Sequence, residues 1–82
     1  MRFAFVLLRV EPGRLDEVAS AVMEIDGVSE VHSVTGPFDL LVKLYAASYD
    51  DFGDLIPGRL QKVPGIRDTE TLFAFRAFKT TT

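Results

Sequence analysis

Cysteine is missing from the sequence, and histidine occurs once, as His32. No disulfide framework can support the fold, and no Cys/His cluster can hold a metal, so neither a metal nor a cofactor is expected. Positive charge is also scarce: nine Lys and Arg stand against twelve Asp and Glu, for a net charge of -3. A nucleic-acid binder normally presents a basic face, so direct contact with DNA or RNA is not expected. Long hydrophobic runs are missing too. The apolar stretch from Phe3 to Leu8 is far shorter than the ~20 residues that cross a bilayer, and no small-residue cleavage site closes it. A soluble, cytoplasmic protein without a membrane partner is predicted. Length is short as well. The 82 residues make a single domain, expected over 1–79, with 80–82 as a frayed tail. A core of this size gives modest stability, and without disulfide or metal, association with other chains is the expected support.

What is present is a clear alternation of elements. Phe3 to Val10 is rich in β-branched and aromatic residues and stops at Glu11-Pro12-Gly13, which predicts a strand ended by a turn. From Pro12 the period becomes helical. Leu15, Val18, Ala19, Val22 and Ile25 share one face, Pro12 fits the first turn, and Gly27 suits the left-handed position that closes a helix. Val28 to Val34 and Phe38 to Ala46 read as strands joined by the turn Thr35-Gly36-Pro37. Ser48, with Asp51 three residues on, resembles an N-cap. The helix it opens places Phe52, Leu55, Ile56, Leu60 and Val63 on one face, and Pro64-Gly65 ends it. Pro57-Gly58 falls in its middle. Proline there removes the partner of the Gly53 carbonyl, so the helix either kinks or divides into two short pieces. A final strand is expected from Ile66 to Phe78.

The order β-α-β-β-α-β repeats itself. A shift of 38 positions lays Val18 on Ile56, Val22 on Leu60, Ile25 on Val63 and Gly27 on Gly65. A duplicated β-α-β unit predicts an α+β fold of the ferredoxin-like plait type. Its sheet is four-stranded and antiparallel, with two helices on one face. The uncovered face should then be polar, yet the pattern leaves it partly apolar. On the third strand, Asp39, Leu41, Lys43 and Tyr45 oppose Phe38, Leu40, Val42 and Leu44. On the last strand, Leu72, Ala74, Arg76 and Phe78 oppose Phe73, Phe75 and Ala77. An exposed apolar face of this extent marks an interface, and sheet-on-sheet dimerisation is the expectation.

Two strings carry a family resemblance. Val28-x-x-Val31-x-x-Val34-Thr35-Gly36-Pro37-Phe38-Asp39-Leu40 is similar to the hairpin signature of the effector-binding domain in the Lrp/AsnC family of transcription regulators. Val63-Pro64-Gly65-Ile66-x-x-Thr69-x-Thr71 resembles the start of that domain's last strand. The resemblance covers the chain from Phe3 to about Phe75. It implies a module that binds a free amino acid or a related small effector, pairs through its sheets into dimers, and builds rings of octamer type. It implies an effector site between dimers, with Thr35, Gly36, Phe38 and Asp39 forming the turn and Thr69 and Thr71 reaching it. Regulators of this family begin with a helix-turn-helix half, and this sequence starts at the first strand. A stand-alone form is thus the expectation, with DNA-binding regulators of the same family as further partners.

The chemistry of these residues is consistent with that role. Asp39 can accept from an ammonium, backbone N–H groups around Gly36 can hold a carboxylate, and both threonines can donate and accept. The plainer readings use the same residues. Thr-Gly-Pro is also an ordinary hairpin turn, Asp39 can bond turn backbone, and Thr69 and Thr71 are good strand formers. A rival of another class is a dimeric ferredoxin-like enzyme of the monooxygenase or isomerase type. That chemistry needs a general base or metal ligand in a pocket. Only His32 and scattered carboxylates are available, so no catalytic residue is expected. A regulatory domain of the ACT type has the same element order, but it favours a glycine-rich turn where this chain has Glu11-Pro12-Gly13.

Overall fold

The computed structural model describes residues 1–80. Strand β1 runs Arg2–Val10, helix α1 Leu15–Met23, strand β2 Val28–Ser33 and strand β3 Leu40–Ala46. The second crossover has three parts: a 3-10 turn at Tyr49–Asp51, helix α2 at Phe52–Gly58, and a 3-10 turn at Leu60–Lys62. Strand β4, Ile66–Ala74, completes the β-α-β-β-α-β order. The sheet runs β2-β3-β1-β4, and every neighbouring pair is antiparallel. This is the predicted ferredoxin-like plait.

Alternation along the strands sorts the residues by face. Ala4, Val6 and Leu8 of β1, with Leu40, Val42 and Leu44 of β3, are buried. They share one core with Val18 and Val22 of α1 and with Phe52, Leu55, Ile56 and Leu60 of the second crossover. Both crossovers therefore cover the same face. No helix among the described residues is long and apolar enough to cross a membrane.

Several boundaries move from their expected places. Helix α1 begins at Leu15 rather than Pro12, because Gly13 adopts φ 82 and a helix cannot pass through it. Strand β2 stops at Ser33 and β3 starts at Leu40, since Ser33 and Leu40 form their last cross-strand pair. Strand β4 ends at Ala74, four residues early. The β1–β4 ladder has its last pair at Phe3 and Ala74, although β1 itself begins at Arg2, which pairs with Ala46 of β3. Phe75, Arg76, Ala77 and Phe78 thus leave the sheet, while Phe73 turns to the helix-covered side. The middle of the second crossover divides rather than kinks. Pro57 lies one residue from the end of α2, and Arg59, with φ -127, opens the following 3-10 turn. The expected tail falls partly at 81–82, outside the described residues.

Candidate functional site

The β2–β3 hairpin is fastened to β1 at one end of the sheet. Val34 N–H donates to the Asp39 carbonyl at 2.9 Å, closing the loop. Asp39 N–H donates to the Leu8 carbonyl at 2.8 Å. The Asp39 carboxylate then accepts from Val10 N–H, with Oδ2 at 2.8 Å. The physical cause is plain: the β1–β3 ladder ends at the Leu8–Leu40 pair, and a side-chain oxygen takes over for the next inward-facing N–H. A carboxylate has roughly four lone-pair sites, so Oδ1 can still accept from a second donor.

Beyond this anchor, Thr35, Gly36 and Pro37 are exposed. Gly36 has φ 122, a region that favours glycine, and no atom lies within 4 Å of the position a Cβ would take. Its backbone is open to close approach. Phe38 is half-buried, and the Arg9 guanidinium sits 5.4 Å from its ring centroid. Arg9 also pairs with Asp68 of β4, Nε to Oδ2 at 3.6 Å. The β1–β4 register shifts between Arg9 and Val10, so an irregularity of the sheet lies beside the same turn.

Thr69 and Thr71 lie on the other side of β1. They pair with Leu8 and Val6, which puts them on the helix-covered side of β4. Thr69 Oγ1 accepts from Gln61 Nε2 at 2.7 Å. Two strand spacings separate them from the hairpin, roughly 10 Å. The single chain therefore gathers Thr35, Gly36, Phe38 and Asp39 at one end of β1 and holds the two threonines apart from them. Arg9 and the Val10 N–H were not singled out from the sequence. The signal was an arginine near the end of an otherwise apolar strand, and its partners are far away in sequence.

The uncovered face of the sheet carries Phe3, Phe5 and Leu7 of β1, Leu41 and Tyr45 of β3, and Leu72 of β4. Leu72 is 52% exposed and Phe3 is 37% exposed, so the apolar patch meets water in the single chain. A polar cluster borders it. His32 Nε2 lies 2.8 Å from Glu30 Oε1, and Lys43 Nζ lies 3.4 Å from Glu30 Oε2. The hydrogen bond to His32, with that to Lys43 and its charge, holds the Glu30 carboxyl below its ordinary pKa.

Comparison with known proteins agrees with this architecture. Residues 3–82 match the family model of the Lrp/AsnC ligand binding domain. An uncharacterized HTH-type transcriptional regulator of Pyrococcus furiosus is 37% identical over 79 residues, 93% of this chain and 53% of the relative. The chain thus spans about half the length of that curated relative. A solved structure from Thermus thermophilus is 36% identical with a TM-score of 0.90, covering 98% of this chain and 100% of that one. A transcriptional regulator of Neisseria meningitidis, solved as a complex with L-Met, shares the fold. It has 22% identity and a TM-score of 0.88, over 99% of this chain and 54% of that one. The helix-backed sheet, the hairpin fastened by Asp39 and the match over nearly every residue lead to one assignment: the chain belongs to the Lrp/AsnC ligand binding domain family.

Proposed function

We propose that this domain binds a free amino acid at an interface between subunits and acts by biasing assembly, as a cytoplasmic regulatory module rather than a catalyst. The observation that carries the reading is the match of residues 3–82 to a ligand binding domain of transcription regulators. The L-Met complex of the Neisseria regulator supports an amino acid as the effector class.

The geometry is suited to a shared site. Gly36 and its neighbours offer backbone N–H groups to a carboxylate, and Asp39 Oδ1 offers an acceptor to an ammonium. Thr69 and Thr71 lie too far from the turn to close on the same small molecule within one chain. A second subunit completes the site in this reading. The apolar uncovered face supplies the dimer contact, and dimers associate further into a ring. The HTH-type relative is about twice as long. A DNA-binding half, in the same polypeptide or in a mixed assembly, is the element such a domain would act through. Ligand held between subunits shifts assembly by its differential affinity for the two states and by no more.

The test is a thermal-shift series against the common amino acids, L-methionine first, with Asp39→Asn beside the parent chain. A ligand at 100 times its Kd stabilises by about 2.7 kcal/mol, enough to move Tm by several degrees in a domain of this size. Asparagine keeps an acceptor for Val10 N–H and removes the charge that would face the ammonium. The expected outcome is a selective shift in the parent that shrinks in the variant. No shift with any amino acid overturns the effector reading.

A further inference from the structure

Strand β4 is an outer strand of the β2-β3-β1-β4 sheet, so its helix-side residues can be reached from beside the sheet. Thr69 is one of them. It is half-buried, it pairs with the core residue Leu8, and it stands away from the uncovered apolar face.

Gln61 meets Thr69 from the second crossover. Leu60, fully buried, pins the 3-10 turn Leu60–Lys62 to the core. Lys62 N–H donates to the Arg59 carbonyl at 3.3 Å and Val63 N–H to the Leu60 carbonyl at 3.2 Å, so the backbone carrying Gln61 is held on both sides. The side chain itself is exposed, and its Nε2 donates to Thr69 Oγ1 at 2.7 Å. The direction of that bond has a consequence. A threonine hydroxyl has one proton and two lone pairs. With a lone pair taken by the Gln61 amide, the proton turns elsewhere and is available to an outside acceptor. The opposite wiring, with Thr69 donating to an amide oxygen, would present only lone pairs and repel a carboxylate.

We infer that Gln61 is a positioning residue for the effector: it holds the Thr69 hydroxyl as a donor to the effector's carboxylate. The inference rests on the effector reading above and deepens it. One carboxylate is held from two sides, by backbone N–H groups around Gly36 of one subunit and by the Thr69 hydroxyl of a second. Neither subunit satisfies the ligand alone, so the ligand favours the joined state. The wiring also selects for a free carboxylate. A carboxamide has one acceptor oxygen where a carboxylate has two, and its N–H groups meet donors on the other side.

Isothermal titration with L-methionine and L-methioninamide tests this on the parent, Gln61→Met, Thr69→Val and the double variant. The same acid and amide pair is used for any other amino acid that the thermal-shift series selects. Thr69→Val should weaken the acid by roughly tenfold or more, since a hydrogen bond to a charged group is lost. Gln61→Met keeps the side chain's length and removes the donor. It should weaken the acid by roughly three- to tenfold and lower the preference for acid over amide. In the Thr69→Val background the same change should do neither. A merely structural prop would lower the urea midpoint without moving the acid-to-amide ratio. Equal loss in both backgrounds, or an unmoved ratio, overturns the role. A parent chain that binds no amino acid overturns the effector reading and this role together, whereas binding without coupling between Gln61 and Thr69 overturns this role alone.

Discussion

The two crossovers are built on one sequence pattern and differ in their backbone. Offset by 38 residues, Val18 and Val22 of α1 fall on Ile56 and Leu60, and all four are buried in the common core. Each crossover closes on a glycine at φ 98, Gly27 and Gly65. Each glycine packs against the helix of the other half: Gly27 against Leu55, Gly65 against Val18. Yet α1 is one helix of nine residues, and the second crossover is a seven-residue helix between two 3-10 turns. The aligned residues Ala19 and Pro57 account for the difference. Apolar spacing decides where a crossover docks, and proline decides whether its hydrogen bonds run through. The two are separable because burial is a property of side chains and the ladder a property of the backbone.

The largest effect should come from giving α1 the proline of its twin. Ala19→Pro removes a helical hydrogen bond and drives the ring into the preceding turn, at a cost of about 3 kcal/mol or more. Urea denaturation reads this directly, and a loss below about 1 kcal/mol would mean that α1 already tolerates the broken geometry. The glycines come next. A Cβ on Gly65 would meet Val18 Cγ2 at 2.7 Å, and one on Gly27 would meet Leu55 Cδ2 at 2.9 Å. Valine is stiff on a helix and leucine can swing its end away, so Gly65→Ala should cost more than Gly27→Ala. Gly36→Ala carries the strain of φ 122 without any such neighbour, so it should cost least, about 1 kcal/mol. Equal losses at Gly27 and Gly65 would show that the two closures are packed with equal stiffness.

What the sequence made legible follows the same division. Element order, the repeat, the face assignment of β3 and the two closing glycines rest on local period and turn chemistry, and each is found in place. The end of β4 was not legible, because Leu72 to Phe78 reads as strand throughout, with six of its seven residues apolar. Pairing with β1 stops at Phe3 opposite Ala74, a limit that the local pattern does not encode. The turn Thr35-Gly36-Pro37 was legible, with Phe38 and Asp39 read as the start of the next strand, whereas the bond from Val10 N–H to Asp39 spans 29 positions and depends on which strands become neighbours.

The smallest and sharpest effect is expected at Pro57→Ala. Alanine restores an N–H that can reach the Gly53 carbonyl, a bond worth about 1 kcal/mol net. It also frees the unfolded chain, since proline there limits its conformations, and that change costs about 0.4–1 kcal/mol in the opposite direction. The two nearly cancel, so Tm should move little. The backbone is a better witness than stability. With the bond restored, α2 can run on from Gly58 towards Leu60, whose burial already matches that of Val22 in α1. Circular dichroism at 222 nm should therefore deepen, and the amide of residue 57 should gain protection from hydrogen exchange. If neither changes, proline is not what divides the crossover. The cause then passes to Gly58 and to Arg59, whose φ of -127 and ψ of -58 lie outside the helical region.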